Sequence, residues 1–274
     1  MSTRNNNAFS FGEFIWWTGT VEDVMDPLKA GRIKVRINGY HTDDTSKLTT
    51  ESLPWAMIAT GTMSASTNGI GITPHMVIKG THVGGFFVDG NSAQLPLVLF
   101  TYPGMNGSEP DVNKLARSST VQKSMDSAGS WSEKASGAAP SYPHNKVIQT
   151  PGGHIIEVDD TPGKERLHIF HKSGTFYEFH TDGTLVTSIK GSNYQIVQKD
   201  LFIHVHGNAN INVDGNLTET VKGNKVSNIT GTYTVTCKSY SMTTKGSWSN
   251  KVGSSGSIKC GGSLTEKAAV IYLN

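Results

Sequence analysis

From residue 183 onward the apolar and polar positions recur every eight residues. Gly183, Gly191, Gly207, Gly215, Gly223 and Gly231 fill six of seven consecutive slots, with Lys199 in the odd one. Two residues before the slots stand Ile189, Val197, Val205, Val213, Val221 and Ile229, and one residue after stand Ser192, Asp200, Asn208, Asn216, Asn224 and Thr232. Glycine occupies 30 of 274 positions. Four successive hits from 207 to 231 therefore have a chance of roughly one in seven thousand per frame, which favours a fixed-period repeat over composition bias.

Eight is even and strand side chains alternate faces, so the valine slot returns to one face in every unit and forms an apolar stripe. The opposite parity carries Gln198, His204, His206, Asn212, Asp214, Thr220, Lys222, Asn228 and Thr230, which read as a wet face. Glycine followed by Asn or Asp tolerates positive φ, so Gly191, Gly207, Gly215, Gly223 and Gly231 read as corners between short strands. Eight residues at ~3.3 Å each span only ~26 Å, roughly one side of a prism. Three chains, each supplying one side per layer, close the cross-section and remove every free strand edge. The repeat thus predicts an intertwined homotrimer. Past Gly231 the octad loosens, and Cys237, Lys245–Gly246, Val252–Gly253 and Gly261–Gly262 fall out of register.

Upstream the pattern predicts a compact all-β domain over 14–103, preceded by an arm at 1–13. Runs at 14–24 and 32–37 flank the turn segment Asp26-Pro27-Leu28-Lys29-Ala30-Gly31 and read as a hairpin. Further strands are expected at 55–59, 81–88 and 95–102, and about five strands of this length suit a small barrel. Arg32, Lys34 and Arg36 alternate with Ile33, Val35 and Ile37, the pattern of a half-exposed strand. Residues 104–145 are rich in Ser, Gly, Ala, Asn and Lys and read as a linker. Strand grammar resumes over 146–182 as a small meander that enters the repeat at 183–274.

Composition narrows the class. The hydrophobic set makes up 36% of the chain and charged residues 17%, which fits a β-rich structural protein better than a helical enzyme. A net charge of +2 is no nucleic-acid signature. The start is polar and no run of 18 apolar residues occurs, so the expectation is a cytosol-like compartment, or exit by a route that needs no signal. Cys237 and Cys260 are expected as free thiols.

Two stretches carry a resemblance. One is Gly153-His-Ile-Ile-Glu-Val-Asp-Asp-Thr-Pro-Gly-Lys-Glu165 with His171-Lys-Ser-Gly-Thr175, Glu178 and Asp182-Gly183, followed by the octads. It resembles the entry to the triple-stranded β-helix in central spike proteins of contractile tails, among them phage baseplate spikes and the valine-glycine repeat spikes of type VI secretion. The other, Trp17-Thr-Gly-Thr-Val-Glu-Asp-Val-Met-Asp-Pro-Leu-Lys-Ala-Gly-Arg-Ile-Lys-Val-Arg36 with Leu53-Pro-Trp55, is similar to the OB-fold domain of the same family. The resemblance implies an OB-fold barrel, the linker and a C-terminal triple-stranded β-helix in a homotrimeric baseplate spike, located in the virion and assembled in the host cytoplasm. It implies as partners a hub protein at the end of the tail tube, a small conical tip protein of the proline-alanine-alanine-arginine type, and the target cell envelope. The T4-like spike carries a lysozyme domain where this chain has only the linker. About 40 low-complexity residues cannot bury a core or fix two carboxylates at a glycosidase separation. Glu109, Asp111, Asp126 and Glu133 are the acids available there, so no enzymatic activity, catalytic residue or cofactor is expected.

Other chemistry is sparse. His204-x-His206 has the spacing of a metal pair on one strand face, but no third ligand stands nearby. Glu219 falls on the parity of the apolar stripe, where three copies would call for a bound ion or water. His154, Glu157, Asp159, Asp160, His168, His171 and His180 crowd together in sequence, yet alternation is expected to scatter them over two faces. The end, Val270, Ile271, Tyr272 and Leu273, is uncharged and in three copies would form an apolar plate, the surface for the tip protein. The alternatives are the spike of a tailocin or type VI-like device, and an OB-fold nucleic-acid-binding protein with a β-solenoid tail.

Overall fold

A computed structural model describes residues 14–62, 64–68, 70–72, 75–106, 109–110 and 134–271. Strands β1 (Trp16–Asp23), β2 (Ile33–Ile37), β3 (Trp55–Ile58), β4 (His82–Phe87) and β5 (Pro96–Tyr102) close into a barrel in the order β1-β2-β3-β5-β4. All its pairings are antiparallel except β3 with β5. Alternate residues fill the interior: Trp17 and Val21 from β1, Ile33, Val35 and Ile37 from β2, Ala56, Val83, Phe87 and Val98 from the others. Two short 3₁₀ turns, Thr50–Ser52 and Gly90–Ser92, are the helical elements among the described residues.

The β1–β2 hairpin forms as its turn residues predict. Asp26 accepts hydrogen bonds from the backbone N–H groups of Leu28, Ala30 and Arg32 at 3.0, 2.9 and 3.2 Å, which ties the turn together. The expectation of a half-exposed β2 fails. Lys34 is 6% exposed and Arg36 7%. Arg36 donates to both oxygens of Glu22 at 2.5 and 3.1 Å and to the carbonyls of Thr42 and Leu48 at 2.6 and 2.9 Å. Lys34 donates to the Glu51 carbonyl at 2.5 Å and lies 4.9 Å from the Trp55 ring centre. Charges covered in this way are tolerated because each is paired as it is desolvated.

Closure between β4 and β5 depends on two glycines. The Phe100 ring lies where a side chain on Gly84 would stand, and a Cβ on Gly85 would sit 1.9 Å from the Leu97 carbonyl oxygen. A register shift falls between these two residues, so the strands approach closely where the ladder is irregular.

Beyond the barrel, β6 (Met105–Asn106) pairs with β7 (Glu109–Pro110). A five-stranded antiparallel meander follows: β8 (Asn145–Gln149), β9 (Ile155–Asp159), β10 (Arg166–Phe170), β11 (Phe176–Phe179) and β12 (Leu185–Ser188), neighbours in chain order. Gly153, Gly163, Gly174 and Gly183 take positive φ in its turns.

After Ser188 no strand forms among the described residues, and every residue from 191 to 271 is exposed. The conformation is nonetheless regular. The chain bends at 190–191, 198–199, 206–207, 214–215, 222–223, 230–231, 238, 245–246, 253–254, 261–262 and 269. Each bend begins immediately after a stripe position: Ile189, Val197, Val205, Val213, Val221, Ile229, Cys237, Thr244, Val252, Cys260 and Ala268. The loosening expected past Gly231 is therefore a single event. One unit, from Cys237 to Thr244, is seven residues long, and the spacing of eight resumes after it. The valines and isoleucine at 197, 205, 213, 221, 229 and 252 keep nearly equal exposure, 44–52%, so the same local conformation recurs in each unit.

Candidate functional site

The meander has two unlike faces. Ile156, Val158, Leu167, Ile169, Tyr177 and Phe179 point to one side and are 39–48% exposed. Between them Glu157, Asp159, Arg166, His168 and Glu178 point to the other side and are buried. This inverts the usual arrangement, in which the apolar face of a sheet is the covered one.

The buried charges meet because of register. Glu157 stands opposite His168 on β10, and His168 stands opposite Glu178 on β11. Arg166 donates to Glu157 Oε2 at 2.7 Å, and its Nη1 is 3.8 Å from Glu178 Oε2. His168 Nδ1 lies 3.5 Å from Glu157 Oε2, and His180 Nε2 lies 3.2 Å from Glu178 Oε1. Burial alone would raise the Glu157 pKa, but the His168 hydrogen bond and the Arg166 charge and hydrogen bond outweigh it and hold the carboxyl at about 2. The incoming chain closes the face. Ser136 donates to Glu178, Lys134 pairs with Asp182, and the Ser141 N–H donates to Thr161 Oγ1 at 2.9 Å. Thr161 in turn donates to Asp159 through its N–H and hydroxyl at 3.0 and 2.5 Å.

The expected scattering of the sequence cluster holds in part and is corrected for its centre. Glu157, Asp159 and His168 share one face, whereas Asp160 pairs with Lys146 at 2.5 Å in solvent and His154 stacks on His171 at 4.5 Å between ring centres. Arg166 and Glu178 complete the buried group; Glu178 was picked out only as part of the resemblance, and Arg166 was not singled out from the sequence. The signal was present as Glu157-x-Asp159, Arg166-x-His168 and Glu178-x-His180, three strands with charges at every second residue.

The remaining candidates lie apart. His204 and His206 rings are 4.6 Å apart, edge to face. Glu219 pairs with Lys225 at 2.5 Å, both more than half exposed. Among the described residues no group of three or more His, Cys, Asp or Glu side chains is placed to hold a metal ion. Val270 and Ile271 are exposed, 62% and 48%, while Tyr272 and Leu273 lie outside the described residues. Of the linker acids, Asp111, Asp126 and Glu133 also lie outside them. Cys237 and Cys260 are free and exposed in the single chain. Beside the β1–β2 turn an open cleft of about 300 Å³ is lined by Lys29, Gly31, Ile58, Thr60, Asn68 and His75, among others. No helix among the described residues is long and apolar enough to cross a membrane.

Two stretches of the chain match known families. A family model for the Gp5 N-terminal OB domain matches residues 38–122, which include β3, β4 and β5 of the barrel. A second, for the Gp5 C-terminal repeat, matches in three copies across residues 199–222, within the octads. The chain is 36% identical over 265 residues to Protein Gp5 of Vibrio phage KVP40, covering 72% of this chain and 63% of that relative. It is 39% identical over 101 residues to the pre-baseplate central spike protein Gp5 of Enterobacteria phage T4, covering 35% of this chain and 17% of the other. The chain therefore spans less than two thirds of the length of the curated relatives it matches.

Proposed function

We propose that this chain, which matches the models of the Gp5 N-terminal OB domain and the Gp5 C-terminal repeat, is the homotrimeric central spike of a contractile phage tail baseplate, acting mechanically and without catalysis. The observation that carries the reading is the state of residues 189–271. Among the described residues no backbone–backbone hydrogen bond joins this segment to the rest of the chain, yet its bends and apolar stripe repeat through ten units. A regular backbone with exposed apolar positions at every eighth residue is one part of a structure that other chains complete.

In a triple-stranded β-helix each stripe turns to the common axis, and the strands bond to those of two other chains. The exposed apolar face of the meander extends the same need upstream, because Ile156, Ile169 and Tyr177 also lack a cover. Strands held on both sides by different chains cannot peel singly, so the assembly transmits axial force from the contracting tail to the cell envelope. The barrel seats on a hub at the tube end, and Val270 to Leu273 meet a tip protein. Arg32, Lys34 and Arg36 are engaged within the barrel by Asp26, the Glu51 carbonyl and Glu22, which speaks against single-stranded nucleic acid as its ligand. The protein is a virion component assembled in the host cytoplasm.

Light scattering of the purified chain tests the proposal: the expected mass is three times 29.5 kDa, and a monomer overturns it. Purified peptidoglycan suspended with the protein is expected to stay turbid, and clearing would refute the non-enzymatic role.

A further inference from the structure

The chain's net charge of +2 hides a strong asymmetry. Beyond residue 219 stand seven lysines, at 222, 225, 238, 245, 251, 259 and 267, against the single acid Glu266, so the remainder of the chain is net negative. All seven are exposed, and Lys225 is paired with Glu219.

The other six share the parity opposite the stripe: Lys222, Lys238 and Lys245 open bends, and Lys251, Lys259 and Lys267 lie between bends. Each is the immediate sequence neighbour of a stripe position: Lys222 follows Val221, Lys238 follows Cys237 and Lys245 follows Thr244, while Lys251, Lys259 and Lys267 precede Val252, Cys260 and Ala268. Adjacent residues of an extended chain point to opposite sides. The seven-residue unit would move lysines spaced by eight onto the apolar side. Here the lysines change parity together with the stripe and stay opposite it. Turning the stripe to an axis therefore turns Lys251, Lys259 and Lys267 outward and puts Lys222, Lys238 and Lys245 at the corners, in three copies.

We propose that this lysine face binds an anionic, phosphate-bearing lipid surface; the inference rests on the spike reading and names the component of the envelope that the distal part engages. Charge complementarity favours such a partner, because lysine clusters are drawn to the negative potential of phospholipid headgroups. Lipid fits better than nucleic acid. Residues 213–274 contain no arginine, the side chain whose planar fork pairs bidentately with single phosphates and base edges, whereas lysine is a hydrated point charge suited to a diffuse surface.

The test is flotation of the full-length protein with vesicles of phosphatidylcholine, with and without phosphatidylglycerol. The combined variant Lys238→Gln, Lys245→Gln, Lys251→Gln, Lys259→Gln is compared with a control that changes the exposed Lys47, Lys79, Lys164 and Lys172 to Gln. The wild type and the control are expected to bind only the anionic vesicles, and the distal variant about tenfold more weakly or not at all. Raising salt from about 0.1 M to about 1 M shortens the screening length from ~10 to ~3 Å and is expected to release the protein. Equal binding to both vesicles, wild-type binding by the distal variant, displacement by inorganic phosphate at matched concentration, or tighter binding to duplex DNA than to the vesicles would each overturn the inference. Light scattering on the same samples separates the two readings. A trimer that ignores anionic vesicles removes the lysine face and leaves the spike, whereas a monomeric wild type removes the spike, and the variant pair still decides whether these lysines bind lipid.

Discussion

Replacing Arg166 with methionine keeps most of the side-chain volume and removes the guanidinium that faces two buried carboxylates. Glu157 and Glu178 are 1% and 0% exposed, and Arg166 lies 2.7 and 3.8 Å from them. The neighbours of Glu157 lower its pKa from 4.5 to about 2. At ~1.4 kcal/mol per unit that corresponds to ~3 kcal/mol in favour of the ionised form. Breaking a buried pair by removing one partner typically costs about 3–5 kcal/mol, because the other charge is stranded. The variant is therefore expected to lose about 3–5 kcal/mol at pH 7, seen as a fall of roughly 6–20 °C in Tm by circular dichroism. The pH dependence has a definite sign. Glu157 has a depressed folded pKa, so its contribution is complete above 4.5 and is lost as pH falls toward about 2. The gap between wild type and variant is therefore expected to narrow as pH falls from about 4.5 to about 2, and adding Glu157→Gln to the variant should recover much of the loss. A fall under about 2 °C at pH 7, or an equal fall at pH 7 and pH 3.5, would refute the assignment of Arg166 as the counter-charge.

Three further outcomes follow from the geometry. Gly85→Ala places a Cβ 1.9 Å from the Leu97 oxygen and 3.0 Å from the Trp17 ring; it is expected to destabilise the barrel by about 1–3 kcal/mol in denaturant titration. Ile156→Asp with Ile169→Asp puts two charges directly opposite each other on the exposed apolar face. A trimer that survives this pair, by light scattering, would show that the face is not part of the interface. Cys237 and Cys260 occupy stripe positions, so a maleimide is expected to label them slowly in the native assembly and rapidly in guanidinium. Rapid labelling of the native trimer would place the stripe outside.

The barrel was legible to different depths. Turn chemistry at Asp26 to Gly31 announced the first hairpin, because the carboxylate that organises the turn is itself in the turn. Burial of Lys34 and Arg36 was not legible, since their partners Glu22, Thr42, Leu48 and Glu51 come from three other segments. In the meander the alternation of charged and apolar residues was plain, but alternation does not say which side is covered. The usual rule gives the wrong side for a single chain here, because the apolar side is left open. The octads were read correctly in period, whereas the single seven-residue unit was mistaken for decay of the pattern, since Gly246, Gly253 and Gly261 are out of frame with Gly231. The bends restore the frame, and with it Cys237, Thr244 and Cys260 take their places in a stripe that valine alone does not define.

A perfect repeat has a weakness that the short unit removes. Identical units offer no preferred alignment, so one chain displaced by eight residues along its neighbours would find nearly the same contacts at every level. The unit from Cys237 to Thr244 differs from all others in length. Where three such chains wind together, only the alignment that sets the three short units side by side lets every level match above and below it. In the proposed trimer one missing residue would thereby act as an index mark, and would make a uniform polymer of corners into an object with a single correct assembly.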